Sequence, residues 1–204
     1  SLYKKLQQRA QDSQPIRIVL IGAGKFGSMY LSQIPRTPGI HLVGIADLSP
    51  DRAQAALRRV GWQDDQFRAA SVAEAVSKGT TFITSDASRL IDDNAIELVI
   101  EATGVPAAGI EHALRCIQNG KHIVMVNVEA DVLAGPYLAK RAAEAGVIYS
   151  MASGDQPALI AEMVDWARTI GLEVVCAGKG TKYLPAYHAS TPKTVWGHYG
   201  FSEE

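Results

Sequence analysis

Apolar residues along this chain gather into short runs of strand length, and between the runs they recur every three or four positions. The runs are Ile16 to Ile21, His41 to Asp47, Thr81 to Thr84, Leu98 to Ala102, Lys121 to Val126, Val147 to Met151 and Leu172 to Ala177. Near-continuous apolar runs suit strands covered on both faces, and the intervening spacing suits amphipathic helices. Helices are expected over residues 3 to 12, Ser28 to Gln33, Val72 to Ser77, Ala107 to Gln118 and Gly135 to Ala145. Another runs from Ser49, as N-cap before Pro50 and Asp51, to Arg59. A last one follows Ser153 to Pro157, with a stripe of Leu159, Ile160, Met163, Val164 and Ala167 read as core. Residues 61 to 71 read as a polar connection, Ser85 to Leu90 as a turn or loop, and the tail from Ala186 as irregular. Strand alternating with helix predicts an α/β fold with a parallel sheet and right-handed crossovers.

The first strand runs straight into Gly22-Ala23-Gly24-Lys25-Phe26-Gly27, a GxGxxG turn opening a helix. Gly22 permits the tight turn, Gly24 lets backbone approach a pyrophosphate, and Gly27 lets helix pack on strand. Phosphates then sit at the helix N-terminus, where N–H groups and the macrodipole favour an anion. An acid closes the next strand at Asp47, 25 residues after Gly22, near the roughly 20-residue spacing of a carboxylate that bonds the adenine ribose. Arg52 is open to two readings, a contact to a 2′-phosphate or a solvated helix residue, and Asp47 tips the residue-level reading towards NAD. The pattern is that of a Rossmann-type doubly wound sheet binding NAD(P)H, with the dinucleotide domain, N-terminal helix included, over residues 1–152.

Composition narrows the class further. With 204 residues, 47% apolar and 20% charged, the chain is expected to bury a real core. A net charge of −1, with acids and bases mixed, argues against nucleic acid and membrane surfaces as partners. No apolar run approaches the roughly 20 residues of a bilayer span, and a charged N-terminal stretch without an apolar core argues for the cytoplasm. Cys116 and Cys176 lie in apolar contexts without CxxC spacing, which predicts reduced, buried thiols.

Candidate chemistry collects where strands end. Thr103, Gly104 and Val105 follow the strand that faces the glycine turn, and either line the nicotinamide side or make an ordinary strand-to-helix turn. Asn127 is placed to bond a carboxamide or ribose, and Glu129 to serve as acid, base or metal ligand; the alternative for either is a cap of the following turn. Lys179 and Lys182 sit in a glycine-bearing turn beyond the last apolar run and face either solvent or an anion. His188 and His198 lack a third partner at metal spacing.

Five segments carry a resemblance: Gly22 to Gly39, Glu101 to Pro106, Asn119 to Pro136, Gly154 to Arg168 and Ala177 to Gly200. They resemble homoserine dehydrogenase-like oxidoreductases, in particular the branch with enzymes similar to 1-deoxy-D-xylulose 5-phosphate reductoisomerase, and the likeness extends over nearly the whole chain. The resemblance implies a nucleotide domain followed, over 153–204, by the beginning of a substrate and dimerisation region, then a further C-terminal domain of SAF type. It also implies NADPH, a divalent cation (Mg or Mn), a small-molecule substrate, isoprenoid precursor synthesis and a homo-oligomer at full length. Homoserine dehydrogenases typically carry Asn-Lys after the fifth strand, whereas Val128 follows Asn127 here. Lys179 and Lys182 fall in the segment similar to those enzymes' active-site turn, and two cations suit a phosphorylated substrate. In this reading Lys179 or Lys182 neutralises a phosphate or alkoxide, Asp155 or Glu129 handles a proton or metal, and Asn127 orients ring or substrate. Homoserine dehydrogenase activity and a non-catalytic dinucleotide-binding module are the alternatives.

Overall fold

The computed structural model describes residues 1–154, 156–178 and 184–199. Six strands form one sheet: β1 (Ile16–Ile21), β2 (Ile40–Ala46), β3 (Phe82–Thr84), β4 (Leu98–Glu101), β5 (His122–Met125) and β6 (Tyr149–Met151). All neighbours are parallel, in the order β3-β2-β1-β4-β5-β6. That order reverses direction between β1 and β4, which places a crevice outside the carboxyl ends of those two strands.

The helices are α1 (Leu2–Gln11), α2 (Lys25–Gln33), α3 (Pro50–Arg59), α4 (Val72–Lys78), α5 (Ala87–Ile91), α6 (Pro106–Gln118), α7 (Val128–Glu144), α8 (Gln156–Thr169) and α9 (Val195–Tyr199). Successive residues of a strand point to opposite faces, so one strand feeds two cores. On one face Ile18 and Leu20 of β1 pack with Leu31 of α2 and Ala53, Ala56 and Leu57 of α3. On the other, Val19 and Ile21 pack with Ala75, Leu90, Ala113, Ala130 and Leu138 from α4 to α7. Covering both faces explains why the strands read as continuous apolar runs rather than alternating ones. Tertiary contacts divide the chain into Ser1–Ser153 and Gly154–Glu204, and every buried member of both clusters lies in the first unit.

Several expectations are corrected. Ser85 to Leu90 is no loop: Asp86 accepts a bond from Ser88 N, caps α5, and delivers Leu90 and Ile91 fully buried to the core. The polar connection 61–71 contains a 3₁₀ turn, Asp64–Phe67, whose Phe67 is buried. Helix α7 begins at Val128 rather than Gly135. Asn127 caps it, Glu129 and Asp131 favour its first turn, and Pro136 lies inside it. Pro136 suits a helix start, but the Asn127 cap nine residues earlier starts the helix first.

Residues 172–178 form no strand and lack regular structure, since apolar character alone makes no ladder without a neighbouring strand. The stripe on α8 is not core, for Leu159 is 45% and Met163 70% exposed. Cys176 is exposed, whereas Cys116 is buried as expected. Short helical turns, Pro185–Ala189 and α9, replace the irregular tail. Among the described residues no helix is long and apolar enough to cross a membrane.

Candidate active site at the carboxyl end of the sheet

Gly22 has φ +97°, a conformation glycine adopts without strain, and a Cβ there would lie 2.6 Å from the carbonyl oxygen of Ala102. The glycine turn and the end of β4 therefore abut across the crevice. At Gly27 a Cβ would lie 2.5 Å from the Gly22 carbonyl oxygen, so this glycine lets α2 start tightly against the turn. Gly24 differs from both. It is exposed, its φ is −71°, and a Cβ would meet no atom within 4 Å. Nothing in the protein requires glycine there; the open space lies outside the turn, where a pyrophosphate would approach. As N-cap of α2, Gly24 brings no side chain to the first N–H groups of the helix, which stay available to an anion. Lys25 is exposed at the first position of α2, and Phe26 turns inward to stack on Tyr30 with ring centroids 6.5 Å apart. Burial pushes the Tyr30 hydroxyl up to about 12.

Asp47, one residue beyond β2, is almost fully buried and turned inward. Its Oδ2 accepts from Ala23 N at 2.8 Å, and its Oδ1 accepts from Ser49 N at 2.9 Å and from Arg52 Nη2 at 2.7 Å. The carboxylate thus ties the glycine turn to the start of α3. Three of its roughly four acceptor positions are filled by protein. The Arg52 side chain remains 60% exposed at the rim while its partner is buried.

On the other side of the reversal, Ala102, Thr103, Gly104 and Val105 link β4 to α6, with Gly104 at φ +70° and Val105 exposed. The Asn127 side chain is buried and fully engaged. Its Oδ1 accepts from Ala130 N as cap of α7, and its Nδ2 donates to Val105 O at 2.9 Å and Thr103 Oγ1 at 3.2 Å. Asn127 thereby holds two strand-end loops together. Glu129 is exposed in the first turn of α7. Asp155, Lys179 and Lys182 lie outside the described residues. Among the described residues no three His, Cys, Asp or Glu side chains group as metal ligands.

Glu101, the last residue of β4, was not among the expected site residues. It is fully buried, its Oε1 accepts from Thr103 Oγ1 at 2.6 Å, and His112 Nδ1 lies 3.3 Å away. A carboxylate closing an apolar parallel strand just before Thr-Gly is the signal in the sequence that marks it. Burial, with Glu101's charge second, pushes the Cys116 thiol up to about 12. Burial and the bond donated to Asp131 raise the Tyr149 hydroxyl in the same direction.

The arrangement sets the uncapped amides at the start of α2, a carboxylate held by backbone just after β2, and a loop tied by hydrogen bonds after β4 around the carboxyl end of the sheet. The profile described as "Oxidoreductase DRL, catalytic domain" matches residues 154–203. A homoserine dehydrogenase of Methylobacillus glycogenes is 28% identical over 114 residues, 56% of this chain and 25% of that protein. The homoserine dehydrogenase structure from Thiobacillus denitrificans aligns with TM-score 0.53 and 23% identity, covering 71% of this chain and 30% of the other. Myo-inositol dehydrogenase from Lactobacillus casei, in complex with NAD(H) and myo-inositol, aligns with TM-score 0.53 and 14% identity over 75% of this chain and 42% of its own. The chain thus spans less than half of each of these relatives, and the structural likenesses speak to the fold alone. One further profile, "Oxidoreductase family, NAD-binding Rossmann fold", runs from residue 16 to residue 152, from the first residue of β1 to just past β6. Because it takes in the whole sheet and the crevice at its carboxyl end, this chain belongs to that NAD-binding oxidoreductase family.

Proposed function

We propose that this chain binds NAD(P)H in the crevice outside β1 and β4 and is part of an enzyme that exchanges hydride with the carbonyl or hydroxyl of a small, phosphorylated substrate. The observation that carries the binding reading is Gly24, a glycine the protein's own packing does not need, set at the uncapped start of α2. Bound there, the cofactor supplies the hydride chemistry, and the protein supplies position and charge. The amides of α2 hold the pyrophosphate, Asp47 braces the turn beneath it, and Thr103, Gly104 and Val105 form the wall on the nicotinamide side. Arg52, exposed beside a carboxylate already occupied by backbone, favours a 2′-phosphate and hence NADPH.

Calorimetric titration of wild type and Gly24→Ala with NADH and NADPH tests this reading. The substitution meets no protein atom, so melting is expected to stay unchanged while affinity falls about tenfold or more. Equal affinity in the two proteins would remove the glycine turn as the phosphate site.

For the substrate, the reading rests on Lys179 and Lys182, two cations suited to a phosphate or a developing alkoxide, with Asp155 or Glu129 as proton or metal partner. A reaction of the 1-deoxy-D-xylulose 5-phosphate reductoisomerase type is the first choice. The similarity of residues 154–203 to a catalytic domain supports turnover by the whole protein over a non-catalytic module. Homoserine dehydrogenase activity is the second reading, favoured by the Methylobacillus relative. Oxidation of NADPH that depends on the sugar phosphate, against reduction of NAD(P)⁺ that depends on homoserine, separates them. The chain by itself is expected to bind cofactor and turn over poorly; rapid turnover would show that the site is complete within it.

A further inference from the structure

We propose that Glu101 is a positioning residue for the nicotinamide half of the cofactor, acting through Thr103 on the loop that receives the ring; this rests on the dinucleotide reading above. Glu101 pairs with Ile21 of β1 on one side and Met125 of β5 on the other. It therefore occupies the central strand of the reversal, one residue before the glycine turn on β1 and two before Asn127 on β5 in register. An apolar residue would be the stable choice at so buried a place, because removing a carboxylate from water carries a large penalty. Here that penalty is only partly offset. Oε1 accepts from Thr103 Oγ1 at 2.6 Å and from Thr103 N at 3.4 Å, with His112 Nδ1 at 3.3 Å. Oε2 is buried and has no hydrogen-bond partner among the described residues. A group kept despite incomplete bonding calls for a role other than stability.

Its bonds point to that role. The Thr103 hydroxyl, which donates its hydrogen bond to Glu101, accepts from Val105 N at 3.3 Å and from Asn127 Nδ2 at 3.2 Å. Asn127 Nδ2 donates in addition to Val105 O. One carboxylate thus fixes a hydroxyl, the hydroxyl fixes the amide of Val105, and Asn127 fixes its carbonyl. The stretch from Thr103 to Val105 is held at both ends while its outer face stays open: Gly104 lies at φ +70°, where an added methyl would meet no atom within 4 Å, and Val105 is 53% exposed. A rigid, apolar, glycine-flattened wall suits the face of an aromatic ring. It stands on the β4 side, across the sheet's reversal from Asp47 and Arg52 on the β2 side, where the adenine ribose belongs.

The test compares ligands that share everything but the nicotinamide: NADH with ADP-ribose, and NADPH with 2′-phospho-ADP-ribose if the phosphorylated cofactor is the one bound. Wild type, Glu101→Gln, Thr103→Val and Thr103→Ser are titrated, with melting recorded for each. Glu101→Gln and Thr103→Val are expected to weaken the complete dinucleotide about tenfold and the ring-less ligand less than about twofold, and Thr103→Ser to restore wild-type affinity. The threonine pair decides the matter if Glu101→Gln does not fold. Equal weakening of both ligands, or no weakening of either, overturns the positioning role. Failure of wild type to bind any of the four ligands overturns the dinucleotide reading and this inference with it, and is told apart by that control.

Discussion

At the scale of single residues, the same side-chain type does different work according to what surrounds it. Asp47 and Glu101 are both buried carboxylates at strand ends, yet the first grips backbone of the glycine turn and the second grips a threonine. Arg52 shares the Asp47 carboxylate while most of its own surface meets water. If it also meets a 2′-phosphate, Arg52→Ala should weaken NADPH about tenfold and NADH about twofold or less, read by parallel titration. The two cysteines separate as sharply. Cys176 should react with a thiol reagent in the folded chain, and Cys116 only after unfolding. Since burial raises the folded Cys116 thiol from an ordinary 9.0 to about 12, the folded state holds a proton that the unfolded state has lost in this interval. Its contribution to stability is present below about pH 9 and declines as pH rises towards 12. Urea midpoints measured across that window should fall with pH, and less steeply in Cys116→Ala.

Among the elements, α7 shows how a local signal is overridden. Gly135 and Pro136 in sequence look like a beginning, but Asn127 supplies a cap whose oxygen accepts from Ala130 N and whose amide is anchored in the neighbouring loop. The helix then runs through the proline, accepting one missing donor. Asn127→Ala removes the cap and both ties, and should lower stability by about 2 kcal/mol in chemical denaturation. At the start of α2 the contrast is with Gly27. Adding a methyl there brings it against the Gly22 carbonyl and should destabilise by about 1–3 kcal/mol, whereas Gly24→Ala leaves folding intact. Both glycines match one motif in sequence, and only the packing around them tells the structural one from the open one.

For the molecule as a whole, both hydrophobic clusters and all six strands fall within residues 1–153. That stretch expressed alone is expected to melt cooperatively and to keep dinucleotide affinity within about twofold of the full chain; loss of either would show that residues beyond it complete the fold. What the sequence by itself determined is what local pattern controls. Apolar runs broken by three-and-four spacing are enough for the alternation of parallel strands and helices, and Gly22, Gly24 and Gly27 before a helix are enough to mark the phosphate turn. Tertiary structure alone decided which groups converge and which stay open. Asp47 looks free in sequence and is held by Ala23, Ser49 and Arg52; Glu101 looks like the end of a strand and joins Thr103, which Asn127 then reaches from 24 residues further along. The apolar run at 172–177 and the stripe on α8 read like a strand and a core, and neither became one. The reason is common to all of these. Backbone preference and periodicity are properties of neighbours in the chain, whereas burial, pairing and the filling of a carboxylate's lone pairs depend on partners that only the folded sheet brings near.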